Sequence, residues 1–139
     1  LQFLRHIERT KTLLFMVDLA SYHNLQDQFE TLSHELKTYS QTLHSRSFAI
    51  ALTRVDAIPP QEAPVMVRTF IESLGLTPSA QSAFNFDAAL GFYEQQSSDE
   101  QRAYEQQNPF FIAPVSSVMH TNIDAVTFAL YELVKLARQ

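Results

Sequence analysis

The chain has 139 residues, enough for one domain with a substantial core, and its 45 % hydrophobic and 18 % charged content is typical of soluble globular proteins. A net charge of −5 provides no chain-wide basic footprint for nucleic acid, the absence of cysteine excludes disulfide and thiol chemistry, and no apolar run approaches the roughly 20 residues of a membrane span. The only two glycines, Gly75 and Gly91, lie outside any phosphate-binding context, so no Walker loop can form from this sequence. Because Leu1 replaces an initiator Met, we expect a fragment of a longer protein.

Apolar spacing in the first half predicts helices that alternate with strands. A short helix is expected over residues 1–9, and the unbroken apolar run "TLLFMVDLA" at 12–20 predicts a strand buried on both faces. A helix of about five turns follows, and "SFAIALT" at 47–53 predicts the second strand. The apolar face of that helix comprises Leu25, Phe29, Leu32, Leu36, Tyr39 and Leu43.

The second half continues the alternation. Pro64 suits the first turn of a helix, and Gly75 suits its C-terminal stop. "FFIAPVS" at 110–116 predicts a third strand, and the last helix is expected from about Asn122 to Arg138. Strands that alternate with helices predict an α/β fold with a parallel sheet. Three strands are few for such a sheet, and we expect one of its edges to be open and apolar.

Residues 77–108 differ in composition, being rich in Gln, Ser and Glu. Apolar side chains such as Phe92 and Tyr104 argue against full disorder. We therefore predict an inserted segment of one or two short helices, with a mobile joint at Ser97–Ser98.

Two polar clusters follow predicted strands: "TRVD" at 53–56 and "VSSV" at 115–118. Such strand ends are where α/β proteins place ligand sites. Each cluster alone also fits an ordinary loop after a strand, and in "TRVD" Asp56 would then start a turn. A carboxylate can accept two parallel hydrogen bonds from N1–H and the exocyclic amine of guanine. Together the clusters therefore indicate nucleobase recognition.

The opening stretch "LQFLRHIERTKTLLFMVDLA", above all "FLRHIERT", resembles the segment after switch II in the Obg family of P-loop GTPases. The resemblance covers residues 1–76 and 109–139. It implies that residues 1–139 are the C-terminal half of a three-layer, P-loop NTPase-like G domain, with residues 77–108 as an insertion.

The resemblance also implies roles for particular residues. "TRVD" resembles the guanine-reading N/T-K-x-D motif, with Thr53, Arg54 and Asp56 in its polar positions, and "VSS" resembles the usual Ser-Ala loop that faces O6 of the base. That loop comprises Ser116, Ser117 and Val118.

The chain departs from the family pattern at several positions. Arg54 replaces the usual Lys, and its longer stem with a planar head can still cover the base but is not equivalent to Lys. Thr53 replaces the commoner Asn, and its hydroxyl keeps only part of the amide's bonding capacity. Ser117 replaces Ala, while His120 and Asn122 stand where glycines are frequent, so the loop shape is expected to differ.

For the intact protein, the resemblance implies GTP and GDP binding with Mg²⁺, slow hydrolysis as a switch, and a cytoplasmic role in large ribosomal subunit assembly. No membrane or DNA partner is implied. The phosphate loop and the Mg²⁺ ligands are expected before Leu1, so we name no catalytic residue or metal ligand here and expect the fragment alone to be inactive. Two alternatives stay open: a small doubly wound α/β interaction domain without a nucleotide, and a paralogue that kept the fold but lost activity.

Overall fold

The computed structural model describes residues 12–39, 47–95 and 108–137; the helix predicted at 1–9 lies outside them. The strands are β1 (Thr12–Asp18), β2 (Ser47–Thr53), β3 (Tyr93–Glu94) and β4 (Phe111–Pro114). The helices are α1 (Leu25–Tyr39), α2 (Ala63–Ser73) and α3 (Ile123–Ala137), and a single 3₁₀ turn spans Val55–Ala57.

The strands form one sheet in the order β1-β2-β4-β3. Strands β1, β2 and β4 are parallel, as predicted, whereas β3 pairs antiparallel with β4. The fold is therefore α/β with a mixed sheet, and its additional strand, β3, comes from the segment predicted as an insertion.

Both faces of the central strands are buried, because apolar residues occupy both phases of their two-residue repeat. Ile50 and Leu52 of β2 share a core with α1 and α2, whereas Ala49 and Ala51 share a core with α3. Helices thus cover the two sides of the sheet and leave its carboxyl edge accessible.

The prediction that the first strand is buried on both faces is wrong. Leu13 and Val17 are buried, but Leu14 and Met16 on the other face are 37 % and 62 % exposed. The reason is positional: β1 lies at the end of the strand order and contributes no residue to the core shared with α3.

Helix α2 has the predicted ends. Pro64 lies in its first turn, where a missing N–H costs nothing, and Gly75 follows its last turn with a φ of +78°.

The described part of the inserted segment, residues 77–95, contains no helix, and the rest of the range in which one or two short helices are predicted, residues 96–107, lies outside the described residues. Its turns carry Phe84, Phe86 and Phe92 into the core shared with α3, and its last residues form β3. This part is therefore packed, and the predicted Ser97–Ser98 joint lies outside the described residues.

Among the described helices, none has the length and apolar character needed to cross a membrane.

Candidate functional site

The two polar clusters lie side by side at the carboxyl edge of the sheet. Strands β2 and β4 are parallel neighbours, so their exits point the same way. The Val55 N–H donates to the Val115 carbonyl oxygen at 3.1 Å, and the Val115 N–H donates to that of Leu52 at 2.8 Å. These bonds join the loop that follows β2 to the loop that follows β4, as expected for adjacent parallel strands.

Thr53 and Arg54 are held toward β1. The Thr53 hydroxyl lies 3.5 Å from the Val17 carbonyl oxygen, and Arg54 has a left-handed φ of +60°. The Arg54 Nε donates to Asp18 Oδ1 at 2.8 Å, while its Nη2 contacts Oδ2. The Arg54 side chain therefore has a defined direction across the end of the sheet.

This pairing shifts both ionisation equilibria. The hydrogen bonds from Arg54 hold the pKa of Asp18 below its ordinary value, despite an opposing effect of burial. The same contact raises the pKa of Arg54. Both groups are charged at neutral pH, so the ion pair is intact there.

Asp56 lies in the first turn of the 3₁₀ segment and is exposed. Within the described part of the chain, no group donates a hydrogen bond to its carboxylate. Its acceptor oxygens are therefore available to an incoming ligand.

The loop at 116–121 is closed at its base. Ser116 and Thr121 exchange backbone hydrogen bonds at 3.2 and 2.9 Å, and the buried Ser116 Oγ accepts the Met119 N–H at 3.0 Å. Ser117 and Val118 are exposed at its tip, and their N–H groups have no acceptor among the described residues. The loop thus presents two free backbone donors beside the Asp56 turn.

His120 and Asn122 have left-handed φ values of +56° and +58°. Glycine adopts this region readily, and Asn tolerates it better than most residues. The loop therefore keeps a backbone that glycine favours, although neither residue is glycine.

Sequence reasoning missed the partnership between Asp18 and Arg54. Asp18 Oδ1 also accepts the Ala20 N–H at 2.9 Å in the turn after β1. The available signal was the position of Asp18 at the end of a strand parallel to β2, in register with Thr53.

The described residues contain a further groove, which lies apart from these loops, and offer no cluster of metal-binding side chains. A groove of about 440 Å³ between the start of α1 and helix α2 is lined by residues such as Tyr22 and Met66, and by none of the predicted site residues. In the same ranges, no group of three or more His, Asp or Glu side chains is placed to hold a metal ion.

Fold and site together define an α/β protein in which two strand-end loops present a free carboxylate and free backbone donors on a common rim. No family model matches the chain. It is 46 % identical over 138 residues to the GTPase Obg of Sulfurimonas denitrificans, a match covering 99 % of this chain and 37 % of that protein. It is 38 % identical over 135 residues to the GTPase Obg of Nautilia profundicola, covering 97 % and 33 %.

The chain belongs to the Obg family, which confirms the resemblance read from its first twenty residues. It spans about a third of the length of the relatives that it matches.

Proposed function

We propose that this chain is the C-terminal, guanine-binding half of a P-loop NTPase-like G domain, and that the full-length gene product binds and hydrolyses GTP. The observation that carries the proposal is the hydrogen bond between Val55 and Val115, which joins the Asp56 turn to the 116–121 loop. One rim thus offers a carboxylate and backbone N–H donors, the complement of the guanine edge.

Each group has a role in this proposal. The Asp56 carboxylate accepts hydrogen bonds from N1–H and the exocyclic amine, and the N–H groups of Ser117 and Val118 donate to O6. The aliphatic stem of Arg54 lies over the base, with its head oriented by Asp18. Adenine lacks this pair of donors on the corresponding edge, so the site would select guanine.

The surface of β1 supports packing against further protein. This strand ends the sheet within the described residues, and one of its faces carries the exposed side chains of Leu14 and Met16. Exposed apolar side chains on an edge strand are a liability unless another element covers them. We place the phosphate loop and the Mg²⁺ ligands in the regions of the relatives that lie outside the match.

The name of both relatives, GTPase Obg, supports hydrolysis as the activity of the full-length protein. Mg²⁺ would neutralise the phosphate charge during transfer, and the residues described here would hold and orient the base. We further propose, from the family resemblance, a role in large ribosomal subunit assembly and a cytoplasmic location.

Calorimetry on the full-length gene product tests the proposal. With Mg²⁺ present, GDP should bind at least tenfold more tightly than ADP, which corresponds to about 1.4 kcal/mol of base discrimination. Equal affinity for the two nucleotides, or no binding of either, would favour the interaction domain without a nucleotide.

A further inference from the structure

Asn122 joins two parts of the molecule that are distant in sequence. It lies directly before α3, and its Nδ2 donates to the Pro114 carbonyl oxygen at 2.8 Å. Its Oδ1 accepts the Asp87 N–H at 2.9 Å. One side-chain amide therefore connects the end of β4 with the inserted segment.

The first of these bonds is made at the base of the 116–121 loop. Pro114 is the last residue of β4, and the loop begins two residues later with the Ser116–Thr121 pair. The Ser117 and Val118 N–H groups have no acceptor among the residues that the structure describes, so their direction depends on how this base is held. Asn122 fixes the base from both sides, through its own backbone position and through Pro114.

The second bond is made to a segment that is itself firmly held. The buried Glu94 carboxylate, 2 % exposed, accepts the Ser82 hydroxyl at 2.8 Å and the Ala83 N–H at 2.6 Å. The Ser82 Oγ in turn accepts the Phe86 N–H at 2.9 Å, one residue before Asp87. The Asp87 donor thus belongs to a hydrogen-bonded unit of residues 82–95, which we name the Glu94 clamp.

The Glu94 clamp is also part of the core. The rings of Phe86 and Phe111 lie 5.3 Å apart, and the Gln95 N–H donates to the Phe110 carbonyl oxygen at 3.0 Å. A displacement of the clamp would therefore be transmitted to Asn122, and through it to the loop.

We infer that Asn122 is a positioning residue for nucleotide binding, and that the Glu94 clamp acts through it to hold the 116–121 loop in its base-binding shape. This inference rests on the proposed function, because that function assigns the loop to guanine O6. Coupling between nucleotide binding and the clamp is reciprocal. If the hydrogen bond from the Asp87 N–H to Asn122 raises nucleotide affinity by a certain factor, bound nucleotide must raise the equilibrium constant for forming that bond by the same factor.

The test measures GDP affinity of the full-length gene product by calorimetry. Asn122→Gly keeps the left-handed backbone accessible but removes both hydrogen bonds, and should weaken GDP binding roughly 3- to 30-fold. Asn85→Gly is the matched control: Asn85 also has a left-handed φ, +68°, but its side chain forms no such bridge within the described ranges. It should leave the affinity within about twofold.

A double-mutant cycle separates positioning from a general structural effect. Glu94→Gln places an amide against the Ala83 N–H or the Ser82 hydroxyl and loosens the clamp. It should weaken GDP binding in the native background but have no added effect in Asn122→Gly. Ser82→Ala serves the same purpose if the Glu94 variant does not fold. Hydrogen exchange at the Asp87 amide should slow when GDP is bound.

Unchanged GDP affinity in Asn122→Gly, strictly additive losses in the cycle, or Asp87 exchange indifferent to GDP would each overturn this inference. These results are distinguishable from failure of the proposed function, in which the native protein would show no preference for GDP over ADP.

Discussion

Arg54 and Asp18 form a two-bonded ion pair between the exits of neighbouring parallel strands β2 and β1. Because the left-handed backbone at Arg54 turns the chain just after β2, the side chain extends toward β1 instead of away from the sheet. The pair links the candidate site to the end of the sheet. In the base-binding proposal, Asp18 holds the charged head of Arg54 and so sets the direction of the aliphatic stem over the base.

Asp18→Asn tests this link through its pH dependence. The folded-state pKa of Asp18 is depressed, so its contribution to stability is present above the unfolded pKa, about 4, and is lost as the pH falls through the folded value. The native protein should melt a few degrees above the variant at pH 7, and the difference should shrink progressively as the pH falls below about 4 toward the folded-state pKa of Asp18.

Glu72→Gln is a suitable control for that comparison, because Glu72 is exposed and its side chain forms no hydrogen bond or ion pair with described residues. It should leave the melting temperature nearly unchanged at either pH. A constant difference between native protein and Asp18→Asn from pH 7 to pH 3 would contradict a charge-based role for the pair.

Phe86→Ala should destabilise the protein by about 3–5 kcal/mol, because it removes a buried ring from the core shared with Phe92 and Phe111. Urea unfolding followed by circular dichroism measures the change. Tyr22→Ala, at a side chain that is 98 % exposed, should stay within about 0.5 kcal/mol of the native protein. A mobile insertion would make the two variants indistinguishable.

The extent of sequence-based prediction can be judged from β2 and the inserted segment. β2 has the predicted limits, 47–53, because apolar residues fill both faces of a short run. The Gln-rich composition around Glu94 predicted an inserted segment with a mobile joint, yet Glu94 is buried and its carboxylate is bound by Ser82 and Ala83, 12 and 11 residues earlier. Such contacts between distant residues leave no periodic signal.

The candidate site likewise combines one contact that was predictable from the sequence with two that were not. The proximity of Val55 and Val115 was predictable, since successive parallel strands tend to be neighbours and their exits share an edge. The pairing of Arg54 with Asp18 required knowledge of the strand order and of a left-handed residue. The bridge through Asn122 required the path of the inserted segment.

The chain of residues 1–139 by itself should not hydrolyse GTP measurably, and should bind guanine nucleotides at best with a millimolar dissociation constant. Base contacts alone provide limited affinity, whereas the phosphates and Mg²⁺ contribute most of the charge interactions. Calorimetry and a phosphate-release assay check this. Micromolar GTP affinity for the isolated chain would contradict our placement of the phosphate site outside it.

Asp56→Asn addresses the base-reading carboxylate directly in the full-length gene product. The substitution replaces one acceptor oxygen by an amide donor, which would face a donor on guanine. Losing a charge-assisted bond and leaving donors unpaired should cost roughly 2–4 kcal/mol, or about 30- to 1000-fold in affinity for GTP. Xanthine carries an acceptor oxygen in place of the guanine amine, so the variant should prefer xanthosine triphosphate.

Competition among GTP, ATP and XTP separates this role from that of a turn residue. Glu62→Gln is the control: it removes one exposed carboxylate at the start of α2, where the side chain forms no capping hydrogen bond, and should leave the ranking unchanged. If Asp56 only starts the 3₁₀ turn, its substitution should alter stability by a few tenths of a kcal/mol and keep the native ranking. A switch from GTP to XTP in Asp56→Asn alone requires that the exposed carboxylate after β2 contacts the base edge, since neither fold stability nor net charge distinguishes guanine from xanthine.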